Sequence, residues 1–155
     1  MNMKRGFTLV EIMIVVAIIA LLAAIAIPNL LRARLQTNES ASQAALKTIA
    51  TAEVTYRSGN DDYGSLDNLG SPATGPAYID AVLGCASEPC NKSGYQFWVR
   101  ESGANNFTAV AEPVSGNVTG VRTFCITEDG VVRVDPTGVS IADRATCTAL
   151  NATQP

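Results

Sequence analysis

Histidine is absent from the 155 residues. With it go the Ser-His-Asp triad, the Cys-His pair, the histidine-ligated catalytic zinc and the imidazole general base, because no other side chain has an unperturbed pKa near neutrality. Charge is sparse as well. Eleven Lys+Arg against fourteen Asp+Glu give −3, which is neither the basic footprint of a nucleic-acid binder nor the composition of a disordered chain. Aromatics make up only 6%, and residues 7–57 hold just Phe7 and Tyr56, too few for a conducting stack of rings along a helix. The length suits one ordinary domain, or a small domain with a long accessory element, and argues against a multidomain enzyme.

What is present is unevenly distributed. Residues 12–27 are an unbroken apolar run, and residues 7–31 interrupt it only with Thr8, Glu11, Pro28 and Asn29. As a helix this stretch covers the roughly 30 Å hydrocarbon core of a bilayer. Lys4 and Arg5 before it favour a cytoplasmic start. A cleaved signal peptide ending at Ala24-Ile25-Ala26 is disfavoured, because the apolar region exceeds the usual roughly 7–15 residues and Pro28 follows the cut. A plain signal anchor explains the hydrophobicity but leaves Glu11 without a purpose, and an ionisable group in an apolar span is a functional hypothesis by default.

Lys4-Arg5-Gly6-Phe7-Thr8-Leu9-Val10-Glu11 followed by the apolar run resembles the N-terminus of type IV prepilins and their pseudopilin relatives. The resemblance implies that residues 1–6 are a leader, cut after Gly6 by a prepilin peptidase that also N-methylates Phe7. It implies that Glu11 pairs with the terminal amine of a neighbouring subunit during filament assembly, and that Pro28 is the family's helix-kinking proline. The electrostatics agree, since a carboxylate opposite a cation in low dielectric recovers much of its desolvation cost and so favours one longitudinal register.

Residues 29–58 lack Gly and Pro, so the helix is expected to continue over 7–58, with 7–31 in the membrane and Gly59 ending it. Leu35, Ser42, Ile49 and Tyr56, with Ala45 and Ala52, form a stripe that should face a globular part, leaving Arg34, Glu39, Lys47 and Arg57 mostly elsewhere. Residues 59–155 then read as a small head: a connecting loop over 59–93 with one short helix at 77–83, and a β-meander over 94–135. Its four strand candidates are 95–100, 107–112, 121–127 and 131–134, with Asp129-Gly130 as the hairpin signal between the last two. The expected fold is α+β, a long N-terminal helix packed on a small antiparallel sheet, the ladle-like architecture that the resemblance implies.

Cys85, Cys90, Cys125 and Cys147 all follow the span, in a compartment read as oxidising. Three connectivities are open. Cys85–Cys90 with Cys125–Cys147 is preferred, because the second bond would tie the tail (125–147) to the third strand candidate and resembles the disulfide-bounded C-terminal region of many type IV pilins. A four-cysteine zinc site has poor spacing, and Asn60-Asp61-Asp62 with Asp67 reads as a solvated turn, so neither a metal nor a cofactor is expected. The head carries five Lys+Arg against eleven Asp+Glu, a balance of −6, which disfavours nucleic acid.

The resulting expectation is a non-enzymatic pilus subunit, held in the bacterial inner membrane by one span and then polymerised into an extracellular homo-oligomeric filament. The implied partners are the prepilin peptidase/N-methyltransferase, the assembly platform and the secretin. Adhesion or twitching motility would follow from the family alone. The alternatives are a pseudopilin of a type II secretion system and a membrane-anchored periplasmic binding domain.

Overall fold

The computed structural model describes residues 7–153. Helix α1 (Leu9–Asn60) runs for 52 residues, and the chain divides into two compact units, the second beginning at Leu35.

In the first unit α1 is long and apolar enough to cross a membrane, with a mean hydropathy of 3.0 over its best window. Its side chains lie in the open: Ile12, Val15, Ile19 and Leu22 are each at least half exposed. Pro28 sits inside the helix. Lacking an N–H, it cannot bond the carbonyl one turn earlier.

In the second unit the same helix buries Glu39, Ser42, Ala45, Leu46, Ile49, Ala50, Ala52 and Glu53. The alanines and the serine let the helix come close to the sheet, and Leu46 and Ile49 fill the gap. Two glutamates share this face, contrary to the expectation that Glu39 lies off it. The helix passes through Gly59 and ends at Asn60, two residues beyond the expected end at 58, where Asp61 takes the left-handed conformation (φ 63°) and donates its N–H to the Arg57 carbonyl.

The sheet has six antiparallel strands in sequential order rather than four: β1 (Cys90–Lys92), β2 (Tyr95–Ser102), β3 (Phe107–Pro113), β4 (Thr123–Thr127), β5 (Arg133–Asp135) and β6 (Asn151–Ala152). Its inner face sets Tyr95, Phe97, Phe107, Phe124 and Ile126 against the helix in one core, each such side chain contributing roughly 1.5–3 kcal/mol by burial. Two strands start later than their side-chain pattern suggests, because carboxylates take the backbone donors first. Glu39 Oε1 accepts the N–H groups of Val121 and Arg122, and Asp129 Oδ1 accepts that of Val131. The Asp129-Gly130 hairpin forms, with a turn over residues 128–132 rather than a two-residue loop.

The connecting loop contains a short helix, α2 (Leu66–Gly70), closed by reciprocal Ser65 and Asn68 capping bonds. The helix expected at 77–83 does not form. Asp80 instead accepts the Val82 and Leu83 N–H groups in a turn, and Gly84 crosses Gly70 so closely that a Cβ on Gly70 would lie 2.4 Å from the Gly84 Cα. Helix α3 (Arg144–Thr148), capped by Asp143, lies over the outer sheet face, where Ile141 and Cys147 join Val110 and Cys125 in a second small core. Cys85 is bonded to Cys90 and Cys125 to Cys147.

Candidate functional site

Thr8 stands immediately before α1 and closes its first turn. Its Oγ1 accepts the Glu11 N–H at 3.2 Å, while its own N–H and hydroxyl donate to Glu11 Oε2 at 2.8 and 2.7 Å. This is a reciprocal capping box, and it fixes the Glu11 carboxylate beside the exposed backbone donors of the helix start, where the helix dipole favours negative charge. The signal was present as Thr-x-x-Glu ahead of an apolar run, a pattern that sequence reasoning passed over in favour of the intermolecular role of Glu11.

Phe7 is 84% exposed and adjoins this box, so the structure brings the residue expected to carry the methylated amine within one residue of the cap. Gly6 lies outside the described residues. The carboxylate, Phe7 and the open Ile/Leu/Val surface beyond them form one continuous element. Chemically it can do one thing: present an apolar cylinder with a single anion fixed near its end.

The second unit contains the positioning groups. Glu39 Oε2 accepts from Arg122 Nε at 2.9 Å and Nη2 at 2.6 Å. Its other oxygen holds the β3–β4 loop, and Asn38 Nδ2 donates to the Thr119 carbonyl of that loop at 2.8 Å. Burial pushes the Glu39 pKa upward, but the Arg122 side chain and the Val121 and Arg122 N–H groups outweigh it and hold the carboxyl below its ordinary range.

Glu53 is fully buried. Its Oε2 accepts the Gly64 N–H at 2.9 Å, and its Oε1 has no hydrogen-bond partner among the described residues. Desolvation raises its pKa to about 7, with the Gly64 N–H lowering it and Glu88 raising it further. Glu88 itself bridges the loop to the sheet, Oε1 accepting the Leu66 N–H and Oε2 the Val99 N–H. The sequence reading set Glu39 off the stripe and did not weigh Glu53, although residues 39, 46 and 53 each stand four positions after Leu35, Ser42 and Ile49 and so share their face of the helix.

The family described as the prokaryotic N-terminal methylation motif matches residues 1–27. The type IV wide pilus major component PilA4 of Thermus thermophilus is 33% identical over 147 residues, covering 95% of this chain and 99% of that protein. The type IV major pilin protein PilA of Myxococcus xanthus is 39% identical over 93 residues, 60% of this chain and only 36% of that protein's length. The type II secretion system core protein G of Pseudomonas aeruginosa is 33% identical over 96 residues, 59% of this chain and 62% of that protein. With the capped, carboxylate-bearing apolar helix, the antiparallel head and a relative matched over nearly its whole length, this chain belongs to the type IV pilin family.

Proposed function

We propose that this chain is the structural subunit of a type IV pilus, cut after Gly6, N-methylated at Phe7 and polymerised through α1. The observation that carries the reading is the N-terminal half of α1: an apolar surface that its own chain leaves uncovered, with one fixed carboxylate at its start. In a bilayer, lipid covers that surface. In a filament the same surface of neighbouring subunits replaces lipid, and Glu11 meets the methylated amine of Phe7. Leader removal is a precondition, because the cation that Glu11 needs is created by the cut.

The subunit resides in the bacterial inner membrane before assembly and at the cell surface afterwards. Its partners are further copies of itself, the prepilin peptidase/N-methyltransferase, the assembly platform and the secretin. Its work is mechanical and it performs no catalysis.

The test is intact-mass and N-terminal peptide mass spectrometry on fibres sheared from the native cells, beside the membrane fraction. The expected result is a chain beginning at N-methylated Phe7 that dominates the fibres. Glu11→Ala should leave cleavage intact and lower fibre yield by more than about tenfold. A processed chain confined to the membrane fraction would point instead to a short periplasmic pseudopilin assembly, and a persisting leader to a monomeric anchored domain.

A further inference from the structure

The second unit carries two complementary surfaces at opposite ends of β4. At the Thr127 end a groove of about 470 Å³ opens between α1 and the sheet. Its apolar lining is Ala50, Val54, Phe107 and Ile126, and its wall carries Lys47 and Glu128, the latter paired with Arg144. Val54 is 57% exposed, and among the described residues the Lys47 ammonium has no ion-pair partner.

At the Thr123 end lies an apolar projection. The β3–β4 loop exposes Val114, Val118 and Val121, with Val118 72% exposed, and the β5–α3 loop adds Val139 at 60%. These two loops touch, since a Cβ on Gly138 would lie 2.4 Å from the Val121 carbonyl oxygen. The β3–β4 loop is tied to α1: Asn38 donates to the Thr119 carbonyl and Glu39 accepts the Val121 and Arg122 N–H groups. Beside it, Asp135 pairs with Thr123 across the strands. Its carboxylate accepts only from the Thr137 N–H and hydroxyl, with no cation among the described residues.

We infer that the valine projection of one copy seats in the α1–sheet groove of a second copy, with Asp135 of the first facing Lys47 of the second. The inference rests on the filament-subunit reading and names the head-to-head contact within it. Apolar projection matches apolar groove, and unpaired anion matches unpaired cation. The two surfaces are anchored on α1 near residues 39 and 51, about 18 Å apart along the helix at ~1.5 Å per residue. Different patches displaced along one axis make a heterologous contact, which propagates copy after copy into a filament rather than closing a dimer.

The native cysteines are all disulfide-bonded, so Val118→Cys with Thr51→Cys supplies the only free thiols. Fibres of this double variant, treated with a short bismaleimide, should yield a ladder of dimers and higher multimers on denaturing gels, and fibres of either single variant should not. A second pair tests the charges. Lys47→Asp or Asp135→Lys alone should lower fibre yield by up to about fivefold, and the two together should restore it. Abundant fibres without a ladder above the single variants would overturn the contact and leave the subunit reading standing. Absence of fibres from wild-type cells would overturn the subunit reading and the contact with it.

Discussion

One helix serves two environments, and its two halves handle burial differently. From Leu9 to Arg34, α1 shows its apolar side chains to the outside and carries one carboxylate, capped locally by Thr8. From Leu35 to Asn60 it hides a narrower stripe against its own sheet and carries two carboxylates on the buried face, Glu39 and Glu53. The first half is complete only with lipid or other copies around it. The second meets most of its stripe within the chain, leaving Val54 open beside the groove. Helix propensity is similar in both, so the partner of the apolar face, rather than the helix itself, separates a membrane and filament element from a domain core.

The largest blow to the intramolecular half is Phe124→Ala. Phe124 is fully buried, and its truncation should cost about 4 kcal/mol, seen as a fall in the near-UV circular dichroism melting temperature of the detergent-solubilised chain. Membrane insertion should be unaffected. A matching loss of insertion would mean the two halves are not independent.

A smaller effect of opposite sign is expected at Glu53. The unfolded side chain ionises near 4.5 and the folded one near 7, so between these values the unfolded state releases a proton that the folded state keeps. Stability is therefore lost as pH rises through that window, and the loss is complete above about 7. Glu53→Gln should raise stability by about 2 kcal/mol at pH 8 and change little at pH 4, in urea titrations at the two pH values. A gain of equal size at both would show that ionisation is not the cause.

The smallest change sharpens the other half. Thr8→Val removes the hydroxyl that accepts the Glu11 N–H and donates to its carboxylate, worth about 1 kcal/mol at a helix start. Amide hydrogen exchange at Val10 and Glu11 in micelles should speed up by about fivefold. Unchanged exchange there would mean that the cap contributes nothing to holding Glu11.

The sequence made much of this legible, for identifiable reasons. The apolar run, the Gly-and-Pro-free stretch after it and the period-two segments of the head each report directly on which side chains share a face. That was enough for a long helix on an antiparallel sheet and for the central strands. It could not report which group takes a given backbone N–H. Glu39 and Asp129 shorten β4 and β5 by claiming donors that the pattern assigned to the sheet. Asp80 replaces a helix with a turn in the same way. Strands β1 and β6 and helices α2 and α3 are two to five residues long, too short for any periodicity. At the candidate site the Gly6-Phe7 and Glu11 pattern was readable, whereas Thr8 was not weighed as a partner.

The capping box bears on how a charge at the helix start is presented to a partner. Because Glu11 already accepts two donors within its own chain, its carboxylate is held in one place at the edge of an otherwise apolar surface before any partner arrives. Thr8 thus serves as a jig for Glu11, so that an incoming cation meets a fixed point rather than a swinging side chain.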